Sequence, residues 1–454
     1  MKIVVVFAFL ILMGCSQNAS DARRSASSLD RAALADRIEH SLQTETMAKW
    51  YPQSVDKEYG GYISSWTFDF KPQGDQDKMI VSQARHLWVH SKAIQSSPDV
   101  EHYKSGAEAG FQFLKEKMWD HEFGGFYTLV SRDGKKVLDD SKTGYGNAFA
   151  IYGLAGYYAA SKDSAALNLV KKAFHWLEDH AHDRQYKGYF QHLKRDGTRI
   201  LRDATTDSRA ETGYKDQNSS IHLLEAFAEL YAVWPDPLLK ERLMEMLVLI
   251  RDTISTPKGY MVLFFQPDWT PVSFRDSTRE VMESHHRLDH VSFGHDIETA
   301  YLMLEASHIL GIHNDSLTHR KAKRMVDHCL SFGYDSATGG IYDEAFYFKG
   351  SATPEVTHDT KNWWAQAEAM NTLLIMADLY PDDPRNYEEK FLKQWEYIDK
   401  YIIDHQHGDW FSGGIDKQPE LKMALKGHQW KTTYHHYRSM ANCIERLRGN
   451  GPKF

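Results

Sequence analysis

Apolar residues recur at three- and four-residue spacing in a series of stretches from about Leu29 to the end of the chain. That spacing places the apolar residues on one face of a helix, so each stretch predicts an amphipathic helix. Few segments show the alternation that is typical of a long β-strand. The predicted helices are 32–47, 81–94, 103–118, 146–160, 164–179, 219–233, 237–250, 297–310, 320–329, 363–379, 387–403 and 434–447.

Short turns that combine glycine with an aromatic or apolar residue separate successive pairs of these helices. They recur roughly every 65 to 80 residues, one for each helix pair. Glycine allows positive φ where the chain doubles back. The turns are 60–62, 124–126, 187–189, 258–260, 339–342 and 413–415.

Helix pairs that cannot bury their own apolar faces must pack on their neighbours, in an open solenoid or in a closed ring. The sequence favours an all-α (α/α)6 barrel of six helical hairpins, with the solenoid as the alternative. Residues 62–70, 126–136 and 189–199 predict short β-hairpins at the barrel mouth, with Asp133-Gly134 and Asp196-Gly197 as hairpin turns. Without a linker or a composition break, residues 31–454 are predicted to form one domain.

The N-terminus has the layout of an export signal. Lys2 precedes the apolar run 3–13, which is too short to span a bilayer. Leu12-Met13-Gly14-Cys15 resembles a bacterial lipoprotein signal, so residues 1–15 are predicted to be a signal peptide with Cys15 as the lipidated residue. An ordinary secretory signal is the alternative. Residues 16–30 are predicted to be a flexible tether.

These features predict an exported, membrane-anchored protein whose only membrane contact is its lipid anchor. The two remaining cysteines, Cys329 and Cys443, are expected to be buried free thiols. The oligomeric state, monomer or homodimer, is left open.

Composition narrows the class of ligand. A formal net charge of -8 and a pI near 6.3 argue against nucleic acid as a partner. Aromatic residues make up 13% of the chain, and aromatic faces stack on the apolar faces of sugar rings, so a small carbohydrate is the favoured ligand. No cofactor and no metal site are predicted.

Gly294-His295-Asp296-Ile297-Glu298 supplies the first candidate for acid/base chemistry. In a helix His295 and Glu298 share one face, so the carboxylate is expected to orient the imidazole. An imidazole with an ordinary pKa of about 6.5 can take and give a proton near neutrality. His435, in the first turn of the last predicted helix, is the second candidate.

Other polar and aromatic residues stand at the starts of predicted inner helices, each opening a different helix pair. Taken singly, each has an ordinary structural explanation, such as a paired charge or barrel packing. Their common position makes them candidates for a binding site: Arg85, Tyr145, Asn147, Asn218, His222, Trp363 and Trp364.

Together, several motifs resemble the N-acylglucosamine 2-epimerase family, and most closely its cellobiose and mannobiose 2-epimerase branch. The motifs occur in order between about residues 35 and 450. They are Gln83-Ala84-Arg85, Asn218 with His222, His295-Asp296-Ile297-Glu298, Trp363-Trp364 followed by Gln366-Ala367-Glu368, and Trp430-Lys431 followed by Tyr434-His435.

The resemblance implies an (α/α)6 barrel and cofactor-independent epimerisation at C2 of a reducing-end aldose. It implies that His295 and His435 are the acid/base pair, with Glu298 supporting His295. Arg85, Asn218 and His222 would bind sugar hydroxyls, and Trp363 or Trp364 with Trp430 would supply stacking faces.

The chain departs from the disaccharide branch at a few positions, and the departures bear on the substrate more than on the reaction type. That branch often has histidine at Ser220, Cys-Pro at Thr432-Thr433 and asparagine at His436, and Gln is common at Asn147.

Other activities remain open at this point. An aldose–ketose isomerase or an N-acetylglucosamine 2-epimerase would use the same two histidines. A glycoside hydrolase or lyase needs flanking carboxylates, of which the sequence offers no equally convincing pair. A glycan-binding lipoprotein would need the aromatic residues but not both histidines.

Overall fold

Two concentric rings of helices form the molecule. The structure, a computed structural model, describes residues 30–51, 53–96 and 100–454. Within these residues, the inner ring consists of α2 (Ile80–Ser96), α4 (Gly144–Ser161), α6 (Gln217–Val233), α9 (Phe293–Ile309), α11 (Trp363–Leu379) and α13 (Tyr434–Leu447). The outer ring consists of α1 (Arg31–Ser41), α3 (Val100–Phe113), α5 (Ser164–His180), α7 (Pro237–Leu249), α10 (Ser316–Phe332) and α12 (Tyr387–Tyr401).

Each inner helix packs against the next one, and α13 packs against α2, which closes the ring. The predicted (α/α)6 barrel is thereby confirmed and the open solenoid is wrong. An outer helix returns the chain between successive inner helices, so the inner helices run parallel and begin at one end of the barrel, which is its mouth. The main apolar core contains residues from both rings.

Side chains that accept hydrogen bonds from free backbone N–H groups define many helix starts. Asp163, Asp236 and Asp315 cap the outer helices α5, α7 and α10, and Pro237 occupies the first turn of α7. On the inner ring, Asp216 caps α6 through the backbone N–H of Ser219. The predicted helices exist, and most of their boundaries shift by a few residues.

The start of α9 is the boundary that matters for the site. The helix begins at Phe293, four residues before the predicted start at residue 297, so His295 lies inside its first turn. Gly294 lies within the helix. A Cβ at this position would lie 2.6 Å from the Trp364 ring, so the missing side chain permits the close approach of α11. Glycine marks helix contact at this position and does not break the helix.

Short strands connect the turns to the inner helices at the mouth. They are β1 (Lys78–Met79), β2 (Leu129–Val130), β3 (Val137–Asp139), β4 (Lys142–Thr143), β5 (His192–Leu193), β6 (Lys215–Asp216), β7 (Phe264–Phe265), β8 (Val291–Ser292), β9 (Glu344–Phe346) and β10 (Glu355–His358). The antiparallel orders are β1-β2-β3, β4-β5, β6-β7 and β10-β9-β8. β2 and β3 form the predicted hairpin around Gly134, whose φ is 67°.

Buried Asp–Lys pairs fasten five of the six turns in the described residues to the start of an inner helix. Both partners are nearly inaccessible, and the ammonium groups also donate to turn carbonyls, so each buried charge is paired. The first four pairs are Asp56–Lys78, Asp120–Lys142, Asp183–Lys215 and Asp335–Lys361. The last turn lies at 404–410, where Ile403 bridges Trp410, and not at 413–415 as predicted; it carries Asp404–Lys426 together with Asp409–Lys431.

A short helix, α8 (Arg279–Ser284), and the 3-10 turn Pro419–Met423 were not predicted from the sequence. In the described part of the chain, Cys329 and Cys443 are buried free thiols, as predicted. None of the helices there is both long enough and apolar enough to cross a bilayer. The predicted signal peptide, Cys15 and the tether up to residue 29 lie outside the described residues.

Candidate active site

Parallel inner helices bring their first two turns together at the mouth, and all but one of the residues selected from sequence occupy those turns. Arg85 lies on α2, Tyr145 on α4, Asn218 and His222 on α6, His295 and Glu298 on α9, Trp363 and Trp364 on α11, and His435 on α13. Trp430 precedes α13. Their contacts show which of them share one site.

Trp364 lies beside both candidate catalytic histidines. The centroid of its ring is 4.6 Å from that of His295 and 5.7 Å from that of His435. The two imidazoles come from α9 and α13, which are far apart in the chain. Their common contact with one indole places them in the same site.

A carboxylate holds His435. Its Nδ1 lies 2.8 Å from Glu368 Oε1, and Glu298 Oε1 is 3.8 Å away. The side chain is 6% exposed, and burial, with the nearby charges of Arg85 and Arg438, lowers the pKa of His435 well below its usual value. His435 is therefore neutral at physiological pH, with Nδ1 engaged and Nε2 left for proton transfer.

A neutral hydroxyl holds His295. Its Nδ1 lies 2.7 Å from Ser292 Oγ at the end of β8. Burial lowers the pKa of His295 to about 3, and electrostatic interaction with the imidazoles of His222 and His290 lowers it in the same direction. His295 is therefore also neutral at physiological pH, but no carboxylate raises its basicity.

The expected pairing of Glu298 with His295 is wrong. Glu298 Oε1 lies 2.8 Å from Arg438 Nη2, and the hydroxyl of Ser292 takes the Nδ1 position of His295. A buried carboxylate gains more from a guanidinium than from a neutral imidazole, and Arg438 reaches it from α13. Helical spacing placed Glu298 correctly on its helix, but it did not identify the partner.

Arg438 connects three carboxylates below the histidines. Its Nη2 lies 2.8 Å from Glu298 Oε1 and 2.7 Å from Glu368 Oε1, and its Nη1 contacts Glu225. Glu225 Oε2 in turn lies 2.8 Å from His222 Nδ1. Burial raises the pKa of Glu368 well above its usual value, and the charges of Glu298 and Glu225 raise it further against the opposing effect of Arg438.

The same carboxylates make a potential metal-binding group with His435. One ligand atom each from Glu298, Glu368 and His435 lies within 4.8 Å of the others. Arg438 Nη2, however, donates a hydrogen bond to Glu298 Oε1 and forms an ion pair with Glu368 Oε1 at 2.7 Å. Its guanidinium already supplies the positive charge that a metal ion would bring, and an ion would have to displace it.

Arg85 forms part of the wall of the site. Its Nη1 donates to the Trp430 carbonyl and its Nη2 to the Tyr145 hydroxyl, both at 3.0 Å. The guanidinium lies 4.3 Å from the ring centroid of Phe149 and 5.0 Å from that of Tyr434. Buried on aromatic faces and 3% exposed, Arg85 presents a fixed positive charge.

Tyr145, His222 and Asn218 extend this wall. The ring centroids of Tyr145 and His222 are 5.2 Å apart, edge to face. Asn218 Oδ1 is shielded from solvent and has no hydrogen-bond partner within the described residues. A buried polar atom without a partner is costly, so this amide is available to a ligand.

The three tryptophans have different environments. Trp430 is 53% exposed, and its ring centroid is 6.2 Å from that of Tyr145, so it offers a free aromatic face at the mouth. Trp363 is 8% exposed and packs beside His428 and above Lys431. Trp364 and Trp430, and not Trp363, therefore have the geometry of stacking faces.

Comparison with known proteins decides the family. The model of the family described as N-acylglucosamine 2-epimerase (GlcNAc 2-epimerase) matches residues 61–439, which is most of the chain. The protein belongs to the N-acylglucosamine 2-epimerase family. The family resemblance noted from the sequence motifs is confirmed, and the chain is an enzyme, a carbohydrate epimerase or isomerase.

Similar proteins cover nearly the whole chain. A cellobiose 2-epimerase from Bacteroides fragilis is 29% identical over 420 residues, which are 91% of this chain and 98% of the relative. A D-mannose isomerase from Marinomonas mediterranea is 22% identical and covers 89% of this chain and 95% of its own. Epimerases and isomerases are thus both among the relatives.

Solved structures support the fold. The structure of cellobiose 2-epimerase from Spirochaeta thermophila aligns with a TM-score of 0.78 and 26% identity, covering 94% of this chain and 99% of its own. A family 76 α-mannanase from Bacteroides thetaiotaomicron aligns with a TM-score of 0.56 at 11% identity. That second likeness shows the fold alone.

Sequence reasoning missed the residues that hold the two histidines and their carboxylates in place, although the sequence contains a signal for some of them. Glu368, Arg438, Glu225 and Ser292 were assigned no role. Four buried polar residues share one register, five positions after the first residue of an inner helix: Arg85, His222, Glu298 and Glu368. A polar residue repeated at one depth of otherwise apolar helices indicates a common polar layer.

The departures from the disaccharide branch lie in packing contacts. Ser220 donates to the Asp216 carbonyl, and Thr433 Oγ1 lies 2.8 Å from the Tyr51 hydroxyl. His436 Nε2 lies 2.8 Å from Asp409 Oδ1, and Asn147 accepts from the backbone N–H of Phe126. These side chains brace the turns behind the site, so their changes bear less on the substrate than the motifs suggested.

Proposed function

We propose that the enzyme inverts C2 of a reducing-end aldose of the glucose or mannose type, in a disaccharide such as cellobiose or mannobiose. The observation that carries the proposal is the pair of neutral imidazoles, His295 and His435, beside the single indole of Trp364. The extent of the match to cellobiose 2-epimerases supports it.

Epimerisation follows from two bases on opposite faces of C2. One histidine assists opening of the sugar ring, and the resulting aldehyde acidifies the C2–H bond. A neutral imidazole then takes that proton and leaves an enediolate, and the other ring, as imidazolium, returns a proton to the opposite face. Because both rings are neutral without substrate, one of them must first take up a proton from solvent, so that one ring can accept the C2 proton while the other donates. The negative charge of the enediolate favours the charged form of an imidazole beside it.

Positive charge near the mouth stabilises the enediolate. Arg85 has a fixed guanidinium held by Trp430 and Tyr145, and a group fixed in advance needs no reorganisation as charge develops. The N-termini of the inner helices point at the same region, and a helix N-terminus carries about half a positive charge. These residues supply the charge stabilisation that the reaction requires.

A hollow beside Trp430 gives room for a second sugar ring. A cavity of about 390 Å³ is lined there by Ser64, Asp75, Asp77 and Gln429, among others, together with Trp430. Hydroxyl, amide and carboxylate groups next to an exposed indole suit a sugar, whose edges are polar and whose faces are partly apolar. This hollow supports a disaccharide over a monosaccharide as the substrate.

Aldose–ketose isomerisation is the second candidate, favoured by the D-mannose isomerase relatives. It needs the same enediolate but returns the proton to C1, for which one base suffices. Because isomerases of this kind would use the same two histidines, it is the extent of the match to cellobiose 2-epimerases that favours epimerisation. N-acetylglucosamine epimerisation is the same chemistry on another sugar.

The test is incubation with glucose, mannose, N-acetylglucosamine, cellobiose and mannobiose in heavy water, followed by NMR. Deuterium at C2 with epimer formation supports the proposal. Deuterium at C1 with ketose formation would establish the isomerase instead. Binding without exchange would indicate a glycan-binding protein.

Hydrolysis is disfavoured by the carboxylates themselves. Glycosidases place two carboxyl groups on either side of the scissile bond. Glu298 and Glu368 are both paired with one nitrogen of Arg438, at 2.8 and 2.7 Å, so neither is free to act from its own side of a sugar. New reducing ends in the same NMR experiment would contradict this argument.

Export as a lipoprotein completes the proposal, and its substrate would then be a sugar fragment met outside the cytoplasm. Metabolic labelling with a fatty-acid analogue is expected to label the wild type. Cys15→Ala should lose the label, and Cys329→Ala, which removes a buried thiol, should keep it. Label that persists in Cys15→Ala would exclude lipidation at that residue.

A further inference from the structure

The hollow beside Trp430 is lined by two carboxylates and by no lysine or arginine. Asp75 and Asp77 line it together with amides, hydroxyls, His428 and the indole of Trp430. Asp75 is exposed and Asp77 is half-buried, and neither forms an ion pair within the described residues. Burial, followed by the charge of Asp75, raises the pKa of Asp77 above its usual value, against a backbone hydrogen bond from Arg132. The hollow therefore presents uncompensated negative charge to a ligand.

The cations of the neighbouring turns are bound elsewhere. Lys78 and Arg132 both donate to the Asp56 carboxylate, and Lys431 donates to Asp409. The side chains of Lys78 and Lys431 are also inaccessible to solvent. Each of these charges already has its counter-ion, so none of them is free to bind an anion in the hollow.

His428 adds a hydrogen-bond donor to the hollow but no charge. Its Nδ1 accepts the backbone N–H of Trp430 at 3.2 Å, so the hydrogen of the neutral ring is on Nε2. Burial, with the nearby charge of Lys431, lowers the pKa of His428 to about 4. The ring is therefore neutral at physiological pH. It can donate to a sugar hydroxyl, but it does not attract a carboxylate.

The residue between the two carboxylates fixes their segment. Gln76 is 8% exposed, and its amide donates to the backbone carbonyls of Ser65 and Gln73 and accepts the N–H of Ser65. The strand β1 then leads from this segment into α2. A segment fixed in this way keeps Asp75 and Asp77 at the hollow when a ligand enters.

Trp430 contacts both this negative hollow and the positively charged wall of the catalytic region. Arg85 Nη1 donates to its carbonyl at 3.0 Å, and its indole lines the hollow. The reducing-end ring, which becomes an enediolate, lies on the side of the guanidinium, and the second ring lies on the side of the carboxylates. The two ends of a disaccharide therefore meet opposite charges.

We propose that the hollow selects a second sugar ring that is neutral or carries an amino group, and rejects a ring that carries a carboxylate. This preference deepens the proposed epimerase function and rests on it. A disaccharide whose second ring is a uronic acid would bring a third negative charge to Asp75 and Asp77. Like charges that meet across a binding surface are a means of specificity. At a half-exposed site the expected loss in kcat/KM is about 10- to 100-fold.

Three disaccharides with the same reducing end test the charge preference. They are cellobiose, its analogue with glucuronic acid as the second ring, and the methyl ester of that analogue, which has the shape of the acid without its charge. At low ionic strength the wild type is expected to epimerise the acid about 10- to 100-fold less efficiently than the ester, and added salt should narrow the ratio. The analogue with glucosamine as the second ring should react at least as well as cellobiose.

Asparagine substitutions assign the preference to the two carboxylates, because they keep the shape of the side chains and their capacity for hydrogen bonds. Asp75→Asn and Asp77→Asn together should raise kcat/KM for the acid by about 10-fold, with the ester unchanged. Asp69→Asn is the matched control, since it also removes a nearby negative charge, but from a residue that pairs with Lys71 and does not line the hollow.

Equal efficiency with the acid and the ester in the wild type would overturn the proposal, as would a ratio that the Asp75→Asn and Asp77→Asn substitutions leave unchanged. Calorimetric binding of the acid and the ester to His295→Ala measures the same preference without turnover. Absence of epimerisation with the preference preserved in binding would contradict the proposed function alone. Epimerisation of cellobiose without any preference for the ester would contradict the charge selection alone.

Discussion

The surroundings of His435 and His295 differ in kind, although both imidazoles occupy the first turn of an inner helix. His435 Nδ1 meets the Glu368 carboxylate, which is itself bound to Arg438. His295 Nδ1 meets only the hydroxyl of Ser292. One ring is therefore embedded in a charged network and the other in neutral contacts, which is an arrangement that gives two acid/base groups different basicities.

The turns leading to these helices show the same contrast. Before α13, Asp409 takes a glycine-like conformation with φ of 57° and binds both Lys431 and His436, the neighbour of His435. Before α9, Thr256 and Val291 stand where other turns carry Asp and Lys. Ser255 bridges Met261 as Val55 bridges Tyr62, so Thr256 takes the position of Asp56, and Val291 lies two residues before its helix as Lys78 does. Charged pairs anchor the His435 side, and neutral packing anchors the His295 side.

Removal of either imidazole should lower the rate of epimerisation more than any other change considered. His295→Ala and His435→Ala should each lower epimerisation by about 10²- to 10⁴-fold, the usual worth of a general acid or base. If the two rings act on opposite faces, each variant should still exchange C2–H with solvent from one epimer only. NMR in heavy water, starting separately from each epimer, measures this; full epimerisation in either variant would remove that residue from its role.

Loss of the charge of Asp409 should destabilise the His435 side. Asp409→Asn leaves Lys431 buried without its counter-ion, which costs about 3–5 kcal/mol in the free energy of unfolding. Asp69→Asn, which breaks an exposed pair with Lys71, should change the free energy of unfolding little. Denaturant unfolding of both variants makes the comparison; equal losses would show that the buried pair is not special.

The carboxylate of Asp409 should also make the stability of the protein depend on pH. Burial raises the pKa of Asp409, but Lys431 and His436 outweigh burial and hold it well below its usual value. Its contribution is therefore complete above the unfolded pKa of about 3.9 and is lost as the pH falls below that value. The gap between wild type and Asp409→Asn should shrink below about pH 4.

Glu368→Gln should reduce activity less than loss of the ring it holds. The amide keeps a hydrogen bond to His435 but removes the negative charge, so kcat should fall by about 10- to 100-fold with little change in KM. Glu305→Gln is the control, because Glu305 is hydrogen-bonded to Tyr301 and has no contact with either histidine. A rise in KM with kcat unchanged would show that Glu368 acts on substrate affinity instead.

Ser292→Ala should have the smallest effect on kcat. It tests the contrast between the neutral surroundings of His295 and the charged surroundings of His435. A neutral hydrogen bond contributes about 0.5–1.5 kcal/mol, so kcat should fall by roughly 2- to 10-fold. Ser220→Ala, which removes a hydroxyl bonded to the Asp216 carbonyl, is the matched control. A larger loss in Ser292→Ala than in Glu368→Gln would reverse the assignment of the charged and neutral sides.

Local rules predicted much of this structure. The helices 363–379 and 434–447 were predicted with their observed boundaries, because apolar spacing and turn residues mark them in the sequence. The start of α9 was placed too late because Gly294 is a contact with Trp364 and local rules treat glycine as a break. The Asp–Lys pairs went unnoticed although several share a spacing of 22 residues, as in Asp56–Lys78.

The sequence by itself determined the helices, most of the turns and the family, and it favoured the barrel over the solenoid, since periodicity, capping and motif order are properties of neighbouring residues. Only the tertiary structure decided partners. Glu298 faces Arg438 and not His295, and Glu368 holds His435, because buried charges pair with the strongest opposite charge that the closed ring brings within reach. Such distances depend on how α9, α11 and α13 pack, which no local pattern encodes.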